Sequence, residues 1–279
     1  MSDILQSNDL NVHDVLVELA SRVEEETVAV LASGGIDSWS SVFALLEVGK
    51  KVHIYSFTLE DRESSDFIKA RELAKIYKLE FTPIILPTSI DTLKKDVLLL
   101  SERFNCTKKV EFECLWPFLY AYNTITETVI GSGLCADGYF CISKSGVLHY
   151  KDRIDEFRRN YFANNGSQYK HHEVMAKHFN KKLFMPYNSP EMFNFFVGKT
   201  WEQCNQPRQK QPIFNSYINE FQSNKFKPHS NLQLGDSGIS EHFDKLLHTD
   251  WNTHNHKSVT GIFNSVVRGE FNERQERLF

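Results

Sequence analysis

The chain lacks long apolar runs and lacks any marked excess of one charge. No stretch approaches the roughly 20 apolar residues that a helix needs to cross a bilayer, so no membrane span is expected. Residues Met1 to Leu10 are polar and acidic, without the basic and apolar regions of a signal peptide. A cytoplasmic location is the expectation that follows. Lys plus Arg number 32 against 36 Asp plus Glu, and a net charge of -4 argues against a broad polynucleotide-binding sheath. The five cysteines (Cys106, Cys114, Cys135, Cys141 and Cys204) are odd in number and show no C-x-x-C spacing. That is a poor disulfide framework and a poor zinc set, so they read mainly as reduced, buried thiols. No G-x-x-x-x-G-K-[ST] occurs, which excludes the phosphate loop of the common ATPases and GTPases. No G-x-G-x-x-G occurs either, which weakens a dinucleotide reading. There is no internal repeat.

What is present is an alternation of strand and helix. The spacing predicts a helix over 12–25, a strand over 27–32 and a helix over 37–48. It then predicts strands at 51–58, 80–86 and 128–131, with helices at 64–77, 90–103 and 112–126 between them. Pro117 is expected near the first turn of the last of these helices. The strands are short, apolar and unalternating, as in a parallel sheet covered on both faces. After residue 150 clear strands disappear, and helical stretches are expected at 151–162, 168–181, 189–203, 209–222, 239–248 and 259–268. Ser223–Ser240 reads as a loop. The expected architecture is therefore α/β: a Rossmann-like parallel sheet with helices on both faces, plus a helical C-terminal lobe. The boundary is placed at 148, giving units 1–148 and 149–279.

One hexapeptide carries chemistry: Ser33-Gly34-Gly35-Ile36-Asp37-Ser38, between a strand and a helix. Two glycines let the backbone turn and approach a ligand closely. The serines and the N–H groups of the helix start point donors at an anion. Asp37 beside bound phosphates makes sense if Mg²⁺ bridges them. A second block, Gly131-Ser132-Gly133-Leu134-Cys135-Ala136-Asp137-Gly138, follows the fourth strand. Ligands of open parallel sheets sit at the carboxyl ends of strands, so Asp37 and Asp137 are expected to face one crevice. His248, His254 and His256 with Asp250 imitate a metal cluster but read better as loop and helix-end histidines.

The hexapeptide resembles the pyrophosphatase-loop signature of the N-type ATP pyrophosphatases, which use a Rossmann-like sheet and split ATP into AMP and pyrophosphate. The second block is similar to the S-G-E-G-[SA]-D-E segment of asparagine and β-lactam synthetases. Phe184-Met185-Pro186-Tyr187-Asn188 resembles their V-P-F-L-D segment. The resemblance covers roughly residues 25–222 and implies ATP contacts at Leu31, Ala32, Ser33, Gly34, Gly35, Ile36, Asp37, Ser38, Ser56, Phe57, Gly131, Ser132 and Gly133. It implies Mg²⁺ ligation by Asp37 and Asp137, with Asp37 also counted as catalytic. By order and spacing it implies a catalytic role for Lys210, with Arg208 and Lys199 as alternatives. ATP and Mg²⁺ are the cofactors implied. Departures are the family glutamates, which fall at Leu134 and Gly138, and Asn188 in place of an aspartate. No glutaminase domain is expected, since position 2 is not Cys.

The reading is an AMP-forming amide ligase: a small carboxylate is adenylated, and ammonia or an amine attacks. Two other readings stay open. One is a tRNA- or nucleobase-modifying enzyme, with Cys114 and Cys204 spaced loosely like a thiolase pair and basic residues over 150–182 reaching a polynucleotide. The other is a non-catalytic nucleotide-binding relative. A homo-oligomeric state is compatible with all three.

Overall fold

The computed structural model describes residues 11–224, 226 and 236–271. Among them, β1 (Thr27–Leu31), β2 (Lys51–Leu59), β3 (Glu80–Leu86), β4 (Val129–Ser132) and β5 (Lys182–Phe184) form one sheet. All pairings are parallel, in the order β3-β2-β1-β4-β5. Helix α1 (Val12–Ser21) precedes the sheet; α2 (Ile36–Glu47), α3 (Ser65–Ile76), α4 (Ile90–Phe104) and α5 (Lys109–Thr124) link its first four strands. Between β4 and β5 lie α6 (Lys144–Tyr150), α7 (Ile154–Ala163) and α8 (Tyr169–His178). After β5 come α9 (Pro190–Phe196), α10 (Trp201–Asn205), α11 (Gln211–Ser216), α12 (Ile218–Ser223), α13 (Ile239–Asp244) and α14 (Val259–Val267). The chain reverses its direction of strand addition between β1 and β4, which opens a crevice at their carboxyl ends.

The unalternating strands are explained by two cores. Val28 and Val30 face one apolar cluster with Trp39, Phe43 and Tyr187. Ala29 and Leu31 face the other with Phe112, Trp116 and Phe263. Side chains of period two are thus apolar on both faces. The late helices serve both cores: α8, α13 and α14 the second, α9 to α12 the first. Local signals set the helix ends. Asn11, Ser64 and Ser89 cap α1, α3 and α4 through their side chains.

Three expectations need correction. A strand does follow residue 150: β5 pairs with β4, crossing the expected boundary at 148. It is three residues long with an exposed Lys182, too short to show a period. Helix α5 begins at Lys109 rather than Phe112, because Glu111 accepts from the N–H groups of Thr107 and Lys108 (2.7 and 3.0 Å). Pro117 therefore lies inside the helix, not in its first turn. The stretches 189–203 and 209–222 are each two short helices. Gly198 at φ 83 breaks the first, and Tyr217 at φ -139 and ψ 55 breaks the second. The loop expected over Ser223–Ser240 and the polar start Met1–Leu10 lie largely or wholly outside the described residues.

Arg158 on α7 is fully buried and ties the β4 side to α9 and α10. Its guanidinium donates to Tyr139 O (3.1 Å), Phe196 O (2.6 Å), Lys199 O (2.9 Å) and the Asp155 carboxylate (2.6 Å). Arg158→Leu would leave three carbonyls and Asp155 without these donors, so unfolding in urea is expected to show a loss of about 3–5 kcal/mol.

Two buried histidines make stability depend on pH. Burial, then the neighbouring His171, lowers His172 to about 3. Burial, then Lys245, lowers His242 to about 4 against weaker opposing effects of Asp61 and Glu60. Unfolded imidazoles titrate near 6.5. Below that pH the unfolded chain binds more protons than the folded one, so stability falls as pH falls. Each histidine is expected to cost roughly 2 kcal/mol between pH 7 and 5. Urea titrations at both pH values check this, and His172→Phe should reduce the drop by about that amount.

Candidate active site

The crevice between β1 and β4 opens into a cavity of about 430 Å³, within the usual range for ligand sites. Its floor is the loop after β1. Here Ser33 Oγ accepts from Gly35 N–H (3.2 Å), and Ser38 Oγ accepts from Ser33 N–H (3.2 Å) and donates to Gly35 O (3.3 Å). Trp39 Nε1 donates to Ser33 O (2.8 Å). The two hydroxyls, expected as phosphate donors, brace the loop itself. Neither loop glycine has a positive φ, and Gly35 is extended at φ -95, with the Ser33 hydroxyl 3.3 Å from where its Cβ would lie, so no left-handed turn requires these glycines. Gly35 caps α2 without a side-chain hydrogen bond. The helix thus starts beside the cavity with no capping side chain, and a helix start of this kind favours an anion.

Asp37 stands in the first turn of α2, and Asp137 in the short helical turn Ala136–Tyr139 after β4. Lys210, at the cap of α11, reaches both. Its Nζ pairs with Asp37 Oδ2 and lies 2.6 Å from Asp137 Oδ1. It is 4% exposed, and its backbone is left-handed at φ 59, an uncommon state for lysine. Burial opposes its charge, but the carboxylates of Asp37 and Asp137 outweigh burial and raise its pKa. Arg208 and Lys199, the alternatives, lie over the rings of Phe214 and Phe195 at 3.8 and 4.4 Å.

Supporting contacts fix this group. Gly133 meets the start of α2 backbone to backbone: a Cβ there would lie 2.5 Å from Asp37 C and Ser38 N. The Tyr187 hydroxyl hydrogen-bonds Ser40 Oγ (2.6 Å), and Ser40 Oγ donates to Asp37 O (2.9 Å). Tyr139 OH donates to Tyr187 O (2.8 Å). The segment beginning at Phe184 thus holds the first turn of α2.

Of the residues expected around ATP, the cavity wall includes Leu31, Ala32, Ser33, Gly35, Asp37, Ser38, Ser56, Phe57, Ser132 and Gly133, with Asp137 beside them. It does not include Gly34, Ile36 or Gly131. Gly131 is packed within the sheet against Val30 and Phe184, and Ile36 packs on the first core. The wall also contains Asp66, Cys114, Phe118, Leu134, Tyr161, Ser167, Gln168 and His172. Of these, Leu134 lies in the second motif and Cys114 was singled out as one of a loosely spaced pair. Phe118, Tyr161, Ser167, Gln168 and His172 come from α5, α7, α8 and their connections, where no local pattern marks them as cavity wall.

Two carboxylates held around an ammonium suit a divalent cation, because the lysine already stands in for one. Mg²⁺ would be held by Asp37 and Asp137 and completed by phosphate oxygens and water. Among the described residues no group of three or more His, Cys, Asp or Glu side chains gathers as a metal set, here or elsewhere. Lys210→Met removes the competing ammonium and leaves two like charges together. Calorimetric titration with Mn²⁺ alone is expected to show tighter binding than in the wild type, by roughly tenfold or more.

Comparison with solved structures finds U34-tRNA thiolase from Methanococcus maripaludis at 17% identity and TM-score 0.39, covering 96% of this chain and 79% of that one. It also finds NMN synthetase from Francisella tularensis at 14% identity and TM-score 0.34, covering 79% of this chain and 97% of that one. At these scores they bear on neither substrate nor mechanism. Comparison with curated proteins gave no match. The asparagine synthase family model matches residues 16–258, a span that takes in the loop, both aspartates and Lys210, and the chain belongs to that family of ATP-using, pyrophosphatase-loop proteins.

Proposed function

We propose that the chain adenylates a substrate carboxylate and passes the acyl group to an amine or ammonia. The carboxylate oxygen attacks the α-phosphorus of ATP, the bond to the β-phosphate oxygen breaks, and pyrophosphate leaves. The amine then forms the C–N bond, AMP departs with the C–O electron pair, and the amine loses a proton. The observation that carries this reading is the meeting of Asp37, Asp137 and Lys210 at the β1–β4 crevice. The loop and the start of α2 would hold the departing pyrophosphate. Lys210 would turn from the aspartates to the α-phosphate oxygens, where a fixed cation stabilises growing charge. Bound Mg²⁺ would supply charge neutralisation on the phosphates. The helices after residue 148 would supply the co-substrate contacts.

The thiolase alternative is supported less. Cys114 lines the cavity, whereas Cys204 is buried against Arg158 in the core on the other face of the sheet. Burial pushes the Cys114 and Cys135 thiols up to about 12, the opposite of an activated nucleophile. A lysine costs energy to bury, which favours a catalytic reading over that of a non-catalytic relative.

The test uses labelled ATP, Mg²⁺, a pool of carboxylic acids and hydroxylamine as the nucleophile. AMP, pyrophosphate and hydroxamate are expected in equal amounts, with Asp37→Asn lowering all three by about 100-fold or more. ADP with phosphate, or turnover that survives in Asp37→Asn, would sink the assignment.

A further inference from the structure

Gly138 follows Asp137 in the turn after β4, and a side chain has no room there. A Cβ would lie 2.4 Å from Cδ1 of Tyr161. The same ring closes off Gly166, where a Cβ would lie 2.3 Å from Cδ1. Tyr161 is therefore seated between two glycines, one on the aspartate turn and one in the α7–α8 connection. Its hydroxyl hydrogen-bonds Ser167 Oγ. Tyr161, Ser167 and Gln168 all form cavity wall.

The connection that delivers Ser167 and Gln168 is held in an unfavourable shape. Asn165, Ser167 and Gln168 have φ of 59, 53 and 54. Asparagine tolerates this region, but serine and glutamine seldom enter it. Such backbone strain persists only where surrounding contacts over-determine it, and it clusters at ligand sites. Here Asn165 Oδ1 accepts from Lys170 N–H (2.6 Å), and its Nδ2 meets His171 Nδ1 (3.2 Å).

We propose, on the adenylation reading above, that Tyr161 and Ser167 recognise the co-substrate beside Asp137, and that the group they take is a neutral hydrogen-bonding one such as a hydroxyl or an amide. The ring of Tyr161 fills the space that a side chain at 138 would occupy, and Tyr161 and its hydroxyl partner Ser167 both belong to the wall there. Burial first, then the nearby Cys135, Asp137 and Asp37, raise the phenol above its ordinary pKa despite the Ser167 bond. The pair is thus uncharged and offers one O–H and several lone pairs. A carboxylate placed there would face Asp37 and Asp137 with no cation from this pair. A neutral hydroxyl completes the pair, and an analogue lacking it leaves polar groups unmatched.

N-acylated 5′-O-sulfamoyladenosines mimic an acyl adenylate and provide the probes. The N-glycolyl compound carries a hydroxyl, the N-propionyl compound a methyl group of the same size, and the N-malonyl compound a carboxylate. Dissociation constants are measured by calorimetry with Mg²⁺ present. The wild type is expected to prefer glycolyl to propionyl by about tenfold, with malonyl weakest. That preference should collapse to parity in Tyr161→Phe, which keeps the ring between its glycines, and shrink in Ser167→Ala. A purely structural role would weaken all three probes in parallel and keep the ratio. A wild-type ratio retained in Tyr161→Phe, or a wild-type preference for malonyl, overturns the proposal and leaves adenylation standing. Failure of the wild type to bind any of the three overturns both.

Discussion

Two carboxylates from residues a hundred positions apart are brought together, and like charges so placed need a cation between them. Lys210 supplies it. The arrangement constrains much of the molecule. Asp37 must stand at the start of α2, so the loop before it is short and braced by its own serines. Asp137 must stand just past β4, so β4 must neighbour β1. Lys210 must arrive from late in the sequence, so α11 packs against α1 and α2 on the first core and carries the lysine to the start of α2. The left-handed backbone at Lys210 and its near-complete burial are the local costs of that delivery. Such a group is better suited to acting on a ligand than to stabilising the fold, since a buried ion pair seldom outperforms apolar packing.

The asparagine synthase family match spans this centre, and the rest of the cavity is built by residues particular to this chain. Where related motifs carry glutamates, this chain has Leu134 and Gly138. The first adds an apolar piece of wall. The second admits an aromatic ring from another helix. That ring brings the hydrogen-bonded hydroxyls of Tyr161 and Ser167 to the same cavity wall as Asp137.

Legibility in the sequence followed the range of the interactions involved. β1, the loop and α2 were readable because hydrophobic pattern, glycines and helix start all lie within twenty residues and agree. β3 was readable to its ends because strand and turn signals coincide. Asp137 could be placed because it follows a strand end of a parallel sheet, whereas Lys210 rested on resemblance alone, since nothing local distinguishes it from a surface charge. β5 escaped notice because three residues cannot show a period. The early start of α5 depends on one carboxylate, Glu111, reaching back to two N–H groups. Tyr161 could not be found at all: its meaning lies in Gly138 and Gly166, and only folding makes them neighbours.

Gly133 has a mechanical consequence. The backbone after β4 rests on the backbone that begins α2, with no side chain between them to slide or rotate. Close-packed main chains of this kind transmit displacement directly and do not absorb it. Asp37 and Asp137 thus belong to one stiff platform whose two halves travel together. A change in the spacing of the two carboxylates would have to move β4 and α2 together, whereas the Lys210 side chain has rotatable bonds of its own.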